Sequence, residues 1–72
     1  MSHVVSAEIV ANVLSIQVGV GDRVTSEDAL VILESMKMEI PVLSEKPGVV
    51  GEIFVSPGDV VHDGDPLMII ED

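Results

Sequence analysis

Val18-Gly19-Val20-Gly21-Asp22-Arg23-Val24 returns later in the chain as Val55-Ser56-Pro57-Gly58-Asp59-Val60-Val61, and Gly21 meeting Gly58 fixes the offset at 37 residues. The same register pairs Asp28 with Asp65, Leu30 with Leu67, Ile32 with Ile69 and Glu34 with Glu71 downstream, and Val13 with Val50 and Ile16 with Ile53 upstream. Further upstream, Ala11 meets Gly48 and Val5 meets Val42. Chance likeness among valine-rich segments does not readily supply Gly-Asp and several further identities at one offset. Two copies are too few for a solenoid, which needs roughly three or more units, so the pattern specifies a closed domain with internal pseudo-two-fold symmetry.

Hydrophobic period names the elements. Residues 4–10, 13–18, 29–33, 40–43, 49–55 and 66–70 are short β-branched or aliphatic runs bounded by Gly, Pro, Asn, Asp or Ser, without the three-and-four recurrence of a helix. Ile53 and Val55 alternate with Glu52, Phe54 and Ser56, whereas 29–33 is continuously aliphatic and predicts burial on both faces, Ile32 and its counterpart Ile69 included. The expected fold is all-β, a flattened barrel or sandwich of two small antiparallel sheets. Residues 4–10 are expected beside 66–70, as the strand bracketed by Pro41 and Pro47 lies beside 29–33. Gly21-Asp22 and Gly58-Asp59 read as equivalent turns, because Gly accepts positive φ and Asp bonds its own backbone. Asp63-Gly64 is a further turn signal, matched by the weaker Ser26-Glu27.

Composition bounds what such a domain can be. Seventy-two residues make one domain, 1–72, with a core that rarely supplies more than a few kcal/mol. The 47% hydrophobic content is almost wholly aliphatic, Phe54 being the one aromatic, which suits a thin core between sheets. With no cysteine, neither disulfides nor thiolate metal sites are available, and no metal site is expected. Thirteen acidic against three basic side chains give a net charge of −10. That balance disfavours phosphate backbones, so nucleic acid is not an expected partner. No apolar stretch approaches the roughly 20 residues of a membrane-spanning helix, and Met1-Ser2-His3-Val4-Val5 lacks a basic region followed by an apolar run. A soluble cytoplasmic monomer is expected. There is no Ser/His/Asp set or phosphate loop, His3 and His62 lie in unrelated contexts, and Gly19-Val20-Gly21 lacks the rest of a dinucleotide fingerprint. No catalytic residue is expected.

The two halves meet at Glu34-Ser35-Met36-Lys37-Met38-Glu39, and Lys37 shares the whole chain with only Lys46 and Arg23 as other fixed cations. If the flanking strands are antiparallel, Lys37 sits at a hairpin tip, far from both termini. A two-residue primed turn asks for positive φ, for which Asn and Gly are the usual occupants. Met and Lys at those positions imply that side-chain identity outweighs turn propensity. Taken alone, Lys37 also fits the ordinary role of a solvated lysine blunting a strand edge. Met36 and Met38 are unbranched and polarisable, suited to a partner's pocket or, more plainly, to filling a core. Glu34 and Glu39 read first as solvated acid and second as weak contributors to recognition.

Met36-Lys37-Met38 resembles the acceptor motif of biotin carboxyl carrier domains, members of the biotin/lipoyl attachment family, and the repeat extends the resemblance over nearly the whole chain. The resemblance implies covalent biotin on Lys37 through an amide bond, with Met36 and Met38 as the flanking recognition motif. It implies a biotin protein ligase as partner, then a biotin carboxylase and a carboxyltransferase between which the biotin ferries carboxyl groups, the carrier itself being non-catalytic. The direct turn at Val18-Gly19-Val20-Gly21-Asp22 leaves no room for the protruding loop that some relatives insert, so the chain resembles the compact type. Ser35 stands where alanine or valine is more usual. Opening at Met1 and closing at Asp72, the chain resembles a free-standing carrier. Two other readings stay open: a lipoyl carrier, which normally has an acidic residue immediately before its lysine where this chain has Met36, and an unmodified acidic interaction module.

Overall fold

Short aliphatic runs that cannot bury both faces alone pair into two layers. The structure, a computed structural model, describes residues 2–72. Its strands are β1 (Ser2–Ser6), β2 (Ala11–Ile16), β3 (Arg23–Val24), β4 (Ala29–Ser35), β5 (Met38–Leu43), β6 (Gly48–Ile53), β7 (Val60–Val61) and β8 (Pro66–Glu71). They form two four-stranded sheets, ordered β1-β8-β6-β3 and β5-β4-β2-β7, with antiparallel pairing throughout. The expected all-β sandwich of two small antiparallel sheets is therefore what forms. A shift of 37 residues carries β2 onto β6 and β3 onto β7, and takes the order of one sheet into that of the other. The expected pairings of β1 with β8 and of β4 with β5 are both present.

The symmetry extends to individual hydrogen bonds. Gly21 N donates to Val50 O and Gly58 N donates to Val13 O, each over 2.8 Å, tying each half's turn to the other half's strand. Gly21 and Gly58 have φ of 95° and 96°, a conformation that a Cβ would penalise. Beside them, the Asp22 carboxylate accepts from Gly19 N and that of Asp59 from Ser56 N, both at 2.8 Å. Asp28 and Asp65 accept in the same way from Thr25 N and His62 N. Each aspartate closes its turn by accepting from the backbone N–H three residues before it, which differs from the Asx bond to the residue two places on but ties turn and side chain together in the same way.

Several boundaries and orientations differ from the sequence expectation. The first strand stops at Ser6, because Ala7 leaves the ladder: its N–H donates to Asp65 O and its carbonyl accepts from Gly64 N. The two-residue strands β3 and β7 were not anticipated, since a pair of residues has no period to read. The continuous run of β4 is not buried on both faces. The register slips between Ala29 and Val31, so Leu30 and Val31 both turn inward while Ile32 is left half-buried. In the other half the pairing of β1 with β8 slips past Leu67, burying Leu67 and Met68 and leaving Ile69 half-buried. Ile32 and Ile69 are thus not the core residues expected. A β-bulge adds one residue to the inward count and inverts the alternation beyond it. The core is one aliphatic cluster drawn from both sheets, in which Leu30, Leu33, Leu67, Met68 and Ile70 are essentially inaccessible.

Candidate functional site

The hairpin between β4 and β5 closes at the pair Ser35 and Met38, leaving Met36 and Lys37 as its two turn residues. Their φ angles are 54° and 66°, positive at both positions as in a primed two-residue turn. The right-handed twist of the paired strands selects that turn, and a side chain in the left-handed region costs on the order of 1 to 2 kcal/mol. Met36 is 88% exposed and Met38 60%, so neither fills the core. Lys37 is exposed, and among the described residues no ion pair engages it. It is an exposed amine at the tip of a turn whose two residues both take positive φ.

Beneath the tip, pairing across the second sheet lines up Glu39, Glu34, Asn12 and Val60 in one outward row, next to an inward row of Ile40, Leu33 and Val13. Glu34 and Glu39 therefore stand directly opposite one another, an arrangement of like charges that disfavours the strand pair slightly. A shallow notch of ≈ 310 Å³ runs beside the tip, with Met36, Lys37 and Glu34 on one side and Val10, Asn12 and Val60 on the other. Val10 and Val60 are each 58% exposed, which gives the lysine an apolar apron. Nothing in the sequence separates these two valines from the core valines; strand pairing alone brings them to residue 37. A larger depression, ≈ 510 Å³, is lined by Val4, Ile9, Val42 and Leu43 of β1, β5 and the segment after β1, and it does not include Lys37.

The other candidates fall elsewhere. Lys46 is exposed in the connection from β5 to β6, where the buried Ser44 hydroxyl donates to the Lys46 carbonyl, and has no methionine neighbours. His62 lies in a turn, 3.6 Å from the Asp65 carboxylate, and His3 lies within β1. The first and last strands, β1 and β8, belong to the first sheet, where Ser2 pairs with Glu71, and no residue of either lines the notch at Lys37.

Two four-stranded antiparallel sheets with an exposed lysine at the tip of a two-residue hairpin define the class of domain. The chain belongs to the family described as "Biotin-requiring enzyme", whose model matches residues 3–70. It is 51% identical over 70 residues to the biotinylated protein TB7.3 homolog of Mycobacterium leprae, covering 97% of this chain and 99% of that one. To the biotin/lipoyl attachment protein of Bacillus subtilis it is 39% identical over 64 residues, covering 89% and 88% of the two chains. Among solved structures, it superposes on the Kluyveromyces lactis urea carboxylase with a TM-score of 0.91 at 31% identity, spanning 97% of this chain and 6% of that one. The lipoyl domain of the Azotobacter vinelandii 2-oxoglutarate dehydrogenase complex superposes with a TM-score of 0.81 at 25% identity, spanning 96% and 95%. Membership of this family supports a role as a biotin/lipoyl attachment carrier.

Proposed function

We propose that Lys37 is the site of covalent biotin attachment and that the protein carries carboxyl groups for a biotin-dependent carboxylase. The observation that carries this reading is the Met36-Lys37 turn, which spends conformational energy to expose a lysine between two thioethers. The amine attacks biotinyl-adenylate through its nitrogen lone pair, so the biotin protein ligase takes up the proton that the nitrogen gives up as the amide forms. The carrier's part is presentation. Once joined, the lysine stem and the valeryl chain make a tether of about ten bonds that reaches on the order of 10 to 15 Å. Such a tether holds the ring at high effective concentration first in a biotin carboxylase and then in a carboxyltransferase. The chain's own residues perform neither reaction, and the cytoplasm is the compartment where these partners meet it.

The relatives support this reading through what their names say of them, a biotinylated protein and a biotin/lipoyl attachment protein. The urea carboxylase contains the same fold as a small part of its length. Superposition on a lipoyl domain favours a second reading, lipoyl attachment at the same lysine. Incubation with biotin protein ligase, ATP and biotin is expected to label the protein and the Lys46→Ala variant, and to leave Lys37→Ala unlabelled on a streptavidin blot. Label surviving in Lys37→Ala overturns the site. Intact mass of protein purified from its native cells distinguishes biotin, lipoate and no modification.

A further inference from the structure

We propose that Met36 and Met38 form an oxidation-sensitive gate on Lys37, such that converting these thioethers to sulfoxides slows attachment to the lysine; this rests on reading Lys37 as a ligase acceptor. The chain has no cysteine, so its methionines are its only oxidisable sulfurs. They fall into distinct environments. Met68 is 0% exposed within the core, whereas Met36 is 88% exposed and Met38 60%, on either side of the lysine. Both side chains are open to solvent, and Met36 continues the apolar apron of Val10 and Val60 along the shallow notch. An exposed apolar cluster around a reactive group marks a surface that a partner covers.

The chemistry is a two-electron oxidation by a peroxide. A sulfur lone pair attacks one peroxide oxygen, the O–O bond breaks as the S–O bond forms, and the other oxygen leaves as water after taking up a proton. Sulfur is oxidised, peroxide is reduced, and the product is a sulfoxide that methionine sulfoxide reductase returns to the thioether. The modified side chain is polar and chiral, with a strong acceptor where the partner meets a soft apolar surface. The fold has no reason to change, because both sulfurs lie outside the core.

Carrier lacking the attached group is treated with dilute hydrogen peroxide, cleared with catalase and then mixed with ligase, ATP and biotin. Trypsin cuts after Lys37 and separates Met36 from Met38; Lys46 precedes Pro47 and resists cleavage, so fragment-ion sequencing separates Met38 from Met68. Met36 and Met38 are expected to gain oxygen well before Met68. The initial loading rate is expected to fall about tenfold or more, the order associated with burying an unsatisfied polar group against an apolar surface. Sulfoxide reductase should restore it, and Met36→Leu/Met38→Leu should load at a rate that peroxide leaves unchanged. An unaltered rate in fully oxidised carrier, failure of the reductase to restore it, or equal sensitivity of the double Leu variant overturns the gate. If that variant loads too slowly to measure, reversal by the reductase in the parent protein decides. Untreated carrier that the ligase does not load overturns the attachment reading itself, a result seen before any peroxide is added.

Discussion

Replacing Met36 by glycine should make the protein more stable while making it a poorer acceptor. Met36 occupies φ = 54°. A side chain there costs on the order of 1 to 2 kcal/mol, and glycine removes that cost. Against this, glycine loses more backbone entropy on folding, roughly 0.5 to 1 kcal/mol. The lost side chain matters little to packing, since Met36 is 88% exposed. The net expectation is a gain of about 0.5 to 1 kcal/mol, which at a slope of roughly 1 kcal/mol/M moves the urea midpoint up by about 0.5 to 1 M. Met36→Ala is the control: it removes the thioether and keeps the Cβ, so its stability should stay within about 0.5 kcal/mol of the parent. Urea unfolding followed by circular dichroism, with ligase loading measured on the same samples, reads both quantities. Loading should fall in both variants, because both lose the thioether. A midpoint that does not rise in Met36→Gly, or that rises equally in Met36→Ala, would refute the claim that the turn stores conformational strain for the sake of its side chains.

Two further predictions test the fold that carries the hairpin. Leu33→Ala and Ile70→Ala, equivalent positions on opposite sheets and each 1% exposed, should each cost about 2 to 5 kcal/mol, while half-buried Ile32→Ala should cost clearly less; equal losses in chemical denaturation would mean that the bulge at Leu30 is misplaced. Asp22→Ala and Asp59→Ala each remove the acceptor of a 2.8 Å backbone bond and should each lower stability by about 0.5 to 1.5 kcal/mol. A large inequality between the two in thermal or urea unfolding would show that the two halves do not share their turn energetics.

Much of this protein is legible in its residues, because the decisive signals are local and occur twice. Gly21-Asp22 and Gly58-Asp59 carry their turn geometry in their own chemistry, and the 37-residue register places equivalent strands on equivalent sheets before any contact is known. The position of Lys37 between two antiparallel runs already implies a hairpin tip, and Met36 and Lys37 in place of Asn and Gly already imply a turn kept for its side chains. What the residues do not encode locally is where pairing slips. Leu30 and Leu67 look like any other aliphatic members of their runs, yet each becomes the extra residue of a bulge, so Ile32 and Ile69 end half-buried instead of in the core. Bulges, the two-residue strands β3 and β7, and the apron of Val10 and Val60 beside Lys37 all depend on which strands meet across the sheets. Those are long-range choices set by closing one shared core, and a chain read residue by residue has no local property that records them. The sequence by itself determined the repeat, the turns and the presented lysine; the tertiary structure decided the surface against which that lysine is offered, because only packing brings residues 10, 12 and 60 to residue 37.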